Sequence, residues 1–307
     1  LSISQKTLRS EISCSGIGLH SGAHVTMTMH PAAPDTGIVF RRTDIVGGGV
    51  ELPARWDLVT DTMLGTTIGN ADGVRVATIE HLMSALYGCE IDNAVIEISG
   101  PEVPVMDGSA APFVFLIECA GVQGQDAPRM ALEVTKPIHI QDGDRSASLL
   151  PAPVFSVEYE IHFESEAISR QSCLFHLVNG TFKTDICRAR TFGFERDVNK
   201  LREAGLALGG SLKNAVVVGM GGDKVLNEEG LRYEDEFVRH KALDCIGDLY
   251  LAGAPIRGLY RGLYAGHALN NQLLRKLFAE KDAFRLVPAE EAPHGAWDAP
   301  PLSVAEA

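Results

Sequence analysis

The chain has 307 residues, 45% hydrophobic and 22% charged, with a formal net charge of −13. That length admits one large domain or two of about 150 residues, and the acidic balance opposes binding to nucleic acid, whose affinity is built on Lys and Arg contacts with phosphate. No apolar run approaches the roughly 18 residues of a membrane span, and the six cysteines follow neither a Cys-x-x-Cys spacing nor a disulfide framework, so reduced thiols are expected.

The opening Leu1-Ser2-Ile3-Ser4-Gln5-Lys6 lacks the basic flank and apolar core of a secretory signal, which makes the cytoplasm the expected location. Gly16-Ile17-Gly18-Leu19-His20-Ser21-Gly22 has neither the P-loop lysine nor the G-x-G-x-x-G spacing and reads as a tight turn. Alternation over 23–30 and 37–41 predicts two strands joined by a Pro/Asp/Gly turn. A helix follows over 78–87, ended by Gly88, then a strand over 93–98 and a helix over 113–120 ended by Gly121. The stretch 121–128, polar and punctuated by Gly and Pro, reads as a linker between domains at 1–126 and 127–288.

Past that point strands are predicted over 131–134, 147–150 and 155–161. Residues 191–218 read as an inserted β-α-β unit, with a helix over 195–204 and an apolar strand over 215–218. A helix starting at His240, a strand near 256–260 and a helix opened by Gly266-His267 complete the second half, and 289–307, rich in Pro and Ala, is expected to be a mobile tail. The halves echo one another: Leu86-Tyr87-Gly88 ends one helix before a strand, and Leu249-Tyr250-Leu251 ends another. The expected fold is therefore α+β, two similar units each with a sheet and a helix pair. Packed helix layer to helix layer, they would bring His81 beside His240 and Asp244.

His240 and Asp244 are four residues apart and share one helix face. With His81 they make a His/His/Asp set, which leaves a tetrahedral zinc ion one open position. Glu80, directly beside His81, matches the metalloprotease arrangement in which such a glutamate is the general base. Asp248 extends the stripe by one more turn and can orient a ligand or another histidine. His267 stays protonated if a carboxylate faces it, and Asp248 is the expected partner. Each residue also has an ordinary reading: a helix-surface hydrogen bond for the His240/Asp244 pair, a solvated face for Glu80, a capping or buried role for His267. His24, His30, His139, His162, His176 and His294 fall into no pattern and receive no role.

Six ordered segments closely resemble one family. They are Gly18-Leu19-His20-Ser21-Gly22, Asp61-Thr62-Met63-Leu64, Glu80-His81-Leu82, Met106-Asp107-Gly108-Ser109-Ala110-Ala111-Pro112-Phe113, Arg188-Ala189-Arg190-Thr191-Phe192-Gly193-Phe194 and Asp235-Glu236-Phe237-Val238-Arg239-His240-Lys241. The family is the UDP-3-O-acyl-N-acetylglucosamine deacetylases, zinc enzymes of lipid A synthesis in Gram-negative bacteria. The resemblance implies zinc held by His81, His240 and Asp244, with Fe2+ as the alternative ion. It further implies Glu80 as general base, His267 paired with Asp248 as the cationic acid or electrostatic stabiliser, and Thr191 at the oxyanion. The small-molecule substrate would meet Leu19, Met63, Phe192 and Phe194, stack its uracil on Phe163 and set its diphosphate against Lys241 and Arg145. Leu201, Leu206, Gly210, Ala215 and Val217 of the insert would line the acyl passage. A monomer is expected.

Two positions depart from the family pattern. Tyr264 stands where many relatives carry a basic residue, with Arg261 expected to compensate. Gly65 stands where several have a cysteine that takes part in inhibitory binding of a second zinc, so inhibition by excess zinc is expected to be weaker. The competing readings are another zinc amidohydrolase or peptidase, and a binding protein clamped by a structural metal with four protein ligands.

Overall fold

Burial with a period of two marks the strands of the first half. In His24–Pro31, Val25, Met27 and Met29 are buried between outward-facing neighbours. The computed structural model describes residues 3–290, and this strand lies second in a five-stranded sheet. The spatial order is Ile12–Ile17, His24–Pro31, Ala94–Ile98, Ile38–Arg42, Val50–Pro53. The last of these five in chain order, Ala94–Ile98, takes the centre, antiparallel to His24–Pro31 and parallel to Ile38–Arg42.

A second five-stranded sheet repeats this plan: Ile138–Asp142, Arg145–Leu150, Leu259–Leu263, Ser156–His162, Arg170–His176. Its late strand, Leu259–Leu263, is again central, antiparallel to Arg145–Leu150 and parallel to Ser156–His162. The repetition expected from the Leu-Tyr echo thus extends to strand order and direction, and the α+β class holds.

The helices are α1 (Glu80–Gly88), α2 (Ala111–Ala120), α3 (Glu195–Glu203), α4 (Glu236–Tyr250) and α5 (His267–Ala279). In chain order α1 and α2 flank the central strand of the first sheet, as α4 and α5 flank that of the second. Each unit carries an insertion between its fourth strand and its first helix. In the first it is a small sheet of Val59–Asp61, Thr67–Gly69 and Arg75–Val76; in the second it is the predicted β-α-β unit, with Phe192–Phe194 and Val216–Val218 parallel on either side of α3 in the chain.

Helices α1 and α4 pack directly on one another. Near their C-terminal ends Tyr87 and Tyr250 meet edge to face, ring centroids 5.5 Å apart. Further along, a side chain at Gly247 would place its Cβ 2.0 Å from the carbonyl oxygen of Glu80. Only a glycine lets the two backbones touch there. Gly247→Ala is therefore expected to cost about 3 kcal/mol, the upper part of the range for overpacking, because the clash is with backbone and not with a movable side chain. Denaturant unfolding of the purified variant measures this, and an unchanged midpoint would show that the helices can part freely.

Four expectations are corrected. The stretch read as a linker is a strand, Val122–Pro128, paired antiparallel with Ser4–Leu8. Gln123 and Asp126 face solvent, Gln125 turns inward to Asn93 and Ala32, and the strand's order comes from backbone pairing, which composition does not report. The strand expected near 256–260 is two, Ile256–Arg257 and Leu259–Leu263, in different sheets. It breaks at Gly258, where a Cβ would lie 2.9 Å from the Leu150 carbonyl oxygen. Helix α1 begins at Glu80 because Thr78 has φ of 57°, outside the helical region. Helix α4 begins at Glu236, a turn ahead of His240. The expected tail lies, from residue 291 on, outside the described residues. All six cysteines are free.

Candidate active site

The stripe on α4 and the first turn of α1 converge at their contact. His240 and Asp244 project from one face of α4, and Nε2 of His240 lies 3.3 Å from Oδ1 of Asp244. From α1, Nε2 of His81 comes within 3.5 Å of the same oxygen. All three residues are buried. The ring of His240 is oriented by its Nδ1–H, which donates to the Ala189 carbonyl at 3.0 Å and so leaves the Nε2 lone pair facing inward. Asp244 Oδ2 accepts from Lys241 at 2.8 Å, whereas Oδ1 is buried without any hydrogen-bond partner.

A buried carboxylate oxygen with two imidazole nitrogens beside it and no donor is poorly satisfied as it stands. The donor separations resolve the difficulty. An ion with tetrahedral bonds of about 2.05 Å has ligand atoms about 3.4 Å apart, between the 3.3 and 3.5 Å found here. The residues present fit a small divalent cation.

Glu80 opens α1 beside this set. Its Oε2 accepts the Thr66 amide at 2.9 Å, and burial pushes its carboxyl above the usual range against the opposing charges of His267 and His81. His267, the first residue of α5, donates through Nδ1 to Asp248 Oδ2 at 2.8 Å. Burial works against its charge, but the Asp248 carboxylate outweighs that and raises its pKa to about 9. His240, with burial dominant, falls to about 4. His240 is thus biased toward the neutral form that can ligate and His267 toward the cation, while the pKa of His81 is raised, its burial outweighed by Asp244 and Glu80.

A cleft of about 380 Å³ lies over these groups, and its wall includes Glu80, His81, His240, Asp244, His267, Thr191, Lys241, Phe192, Leu19 and Arg145. The Thr191 amide donates to the Gly108 carbonyl at 2.7 Å, and among the described residues its hydroxyl has no hydrogen-bond partner. Phe163 packs on Phe192 and Phe194 at 5.7 and 5.8 Å, an aromatic cluster running on to His240. Lys241 is tied to Asp244, and Arg145, 59% exposed, is paired with Asp142, so both expected phosphate partners already hold a carboxylate.

Other expected residues stand apart from the cleft wall. Met63 is 61% exposed, and its neighbours Thr62 and Leu64 line the cleft in its place. Leu201, Leu206, Gly210, Ala215 and Val217 are only partly buried in the insert and outside that wall. A Cβ at Gly210 would sit 3.7 Å from Cδ1 of Leu19, a residue of that wall. The compensating role expected of Arg261 is corrected. Its guanidinium pairs with Glu158 at 2.7 Å, on the sheet face opposite that of its neighbour Tyr260, whose hydroxyl reaches α5 at Asn270. Tyr264 donates to Glu160 at 3.2 Å. At position 65 a Cβ would lie 3.0 Å from Glu80 Oε1, so any side chain there would abut the Glu80 carboxylate.

Several supporting residues were missed in the sequence. Thr66 and Asn270 both bind Asp248. Glu236 accepts the Arg190 amide at 3.0 Å and its Nε at 2.8 Å, fixing the loop that carries Ala189 and Thr191. Glu102 receives the amides of His20 and Ser21, each at 2.8 Å, and so shapes the turn that presents Leu19. Glu236 was legible, one turn before His240 on the same stripe; Thr66 and Glu102 bear no pattern.

A scaffold that converges two imidazoles, an unpartnered carboxylate and a buried glutamate on one cleft is of the kind found in metal-dependent hydrolases. A sequence model of the family described as UDP-3-O-acyl N-acetylglycosamine deacetylase matches residues 5–279. Proteins named UDP-3-O-acyl-N-acetylglucosamine deacetylase are similar over nearly the whole chain. That of Pseudomonas entomophila (strain L48) is 51% identical over 292 residues, 94% of this chain and 95% of its own. That of Phenylobacterium zucineum (strain HLK1) is 49% identical over 282 residues, 92% and 96% of the two chains. That of Shewanella halifaxensis (strain HAW-EB4) is 50% identical over 291 residues, 94% of each. The chain belongs to this deacetylase family.

Proposed function

We propose that the protein hydrolyses the acetamide of a UDP-3-O-acyl-N-acetylglucosamine, releasing acetate and the free 2-amino sugar nucleotide in lipid A synthesis, with Zn2+ held by His81, His240 and Asp244. Family membership supports the reaction and the need for a metal. The observation that carries the site is the partnerless Asp244 Oδ1 between two inward-facing imidazoles. The same donors also suit Fe2+.

A divalent ion in this set acts as a Lewis acid toward the amide carbonyl and makes water more acidic. The rest belongs to the chain's own groups. Glu80, desolvated and held by the Thr66 amide, takes the proton of the attacking water. The Thr191 hydroxyl donates to the oxygen on which negative charge develops. His267, favoured as a cation by Asp248, stabilises that charge as well. The departing amine takes its proton from Glu80 or from His267. Phe163, Phe192 and Phe194 offer ring faces to the uracil and sugar, and Lys241 and Arg145 exchange carboxylate partners for the diphosphate.

Leu19 borders the sugar, Met63 meets the substrate from outside the cleft wall beside Thr62 and Leu64, and the insert residues Leu201, Leu206, Gly210, Ala215 and Val217 receive the acyl chain. The division near residue 126, a monomeric state and a cytoplasmic location belong to this reading; among the described residues no helix is long and apolar enough to cross a membrane. The test is acetate release from the acylated UDP-sugar by chelator-stripped protein before and after Zn2+ is restored. Activity should vanish and return, and persistent turnover without metal would refute the reading.

A further inference from the structure

Thr66 is 2% exposed and forms no part of the cleft wall, yet its polar groups all serve the site. Its amide donates to Glu80 Oε2 at 2.9 Å. Its carbonyl accepts the Ile79 amide at 3.2 Å, at the entry to α1. Its hydroxyl donates to Asp248 Oδ1 at 2.5 Å, and the Thr66 hydroxyl oxygen itself lies 3.3 Å from His267 Nδ1. The other oxygen of Asp248 is occupied by His267 Nδ1 and Asn270 Nδ2, each at 2.8 Å, with Tyr260 in turn donating to Asn270 at 2.6 Å.

Asp248 sits on α4, His267 and Asn270 on α5, and Glu80 on α1. Thr66, in the small inserted sheet's loop, is thus the residue at which all three helices are tied together by direct hydrogen bonds. We propose that Thr66 is a positioning residue: its amide fixes Glu80, its hydroxyl fixes the Asp248–His267 pair, and the base and the cation are thereby held in one mutual orientation. This rests on the catalytic roles given above to Glu80 and His267. Thr66 itself touches no reacting atom.

A side-chain substitution separates the two arms, because it leaves the amide in place and removes only the hydroxyl. A buried carboxylate oxygen that loses its donor turns toward another or admits water, and outer partners of this type are worth about 10- to 100-fold in activity. In the zinc-loaded full-length protein, Thr66→Val should lower kcat by about 10- to 100-fold with KM within about twofold of wild type. Zinc affinity, read by chelator competition, should be unchanged, and Thr66→Ser should recover kcat to within about threefold. The double variant with Asp248→Asn should be no more than about twofold slower than Asp248→Asn alone, since both break the same contact.

Wild-type kcat in Thr66→Val, a serine variant as damaged as the valine, an equal loss in zinc affinity, or additive effects in the double variant would each overturn the proposal. Thr66→Ala, which adds no bulk, carries the same test if valine prevents folding. Glu80→Gln, measured alongside, separates the two levels. If it is inactive while Thr66→Val is fully active, only the positioning role fails; if it is fully active, the assignment of the base fails with it.

Discussion

Glu80→Ala is expected to keep its zinc and to lose acetate release by about a thousandfold, within the range that removal of a general base produces. The two halves of this result have separate physical origins. The ion would be held by His81, His240 and Asp244, whose mutual placement depends on the α1/α4 contact and on the Ala189 carbonyl, and none of these involves the Glu80 side chain. The carboxylate of Glu80 is bound by the Thr66 amide and buried in a site that raises its proton affinity. Truncation therefore removes the proton acceptor while the metal donors stay in place. Metal content by atomic emission and acetate by coupled assay would be measured on one preparation. Normal turnover would show that another group is the base; loss of metal would show that Glu80 belongs among the ligands.

The second large effect is expected at Asp244. Asp244→Asn should weaken zinc binding by at least about 100-fold, more than the loss of an outer hydrogen-bond partner produces, and activity should fall in parallel. Oδ1 is the one atom of the set that has no protein donor while both imidazoles face it. An uncharged amide of the same shape supplies no anion to the ion and leaves Lys241 without the carboxylate that receives it at 2.8 Å. Zinc affinity by chelator competition decides the matter. An asparagine variant that binds zinc as tightly as the wild type would exclude Asp244 as a ligand. Together the two variants dissociate chemistry from metal retention, which a clamp of purely structural metal would not allow.

The sequence disclosed the donors more readily than the frame that aligns them. His240, Asp244 and Asp248 recur at every fourth residue, and helical geometry alone puts them on one face. The adjacency of Glu80 and His81 marked a candidate base and a candidate ligand together. What spacing could not give is distance between segments: Thr66 meets Asp248 182 positions away, and Glu102 reaches back to His20 across 82. Such contacts leave no local periodicity. The strand Val122–Pro128 escaped for a related reason, since a ribbon ordered by backbone pairing with Ser4–Leu8 needs no apolar alternation. Arg261 was misplaced because its charge was legible and the face of its strand was not.

The pairing of Tyr87 with Tyr250 has an implication for how an asymmetric centre can arise from a repeated scaffold. Setting these tyrosines in register gives an offset of 250 − 87 = 163 residues, and the same offset carries His81 onto Asp244, since 81 + 163 = 244. The two helices therefore contribute matching positions at both ends of their contact, as two copies related by an axis between them would. Matched positions supply donors in even numbers: one such pair is too few to hold an ion, and two pairs close the tetrahedron. The odd donor is His240, one turn before Asp244; the corresponding place in the first copy is Ala77, ahead of α1. On the proposed ligand set, a single unreciprocated histidine would leave one coordination position for the substrate, and the backbone plan shared by the two units need not change to provide it.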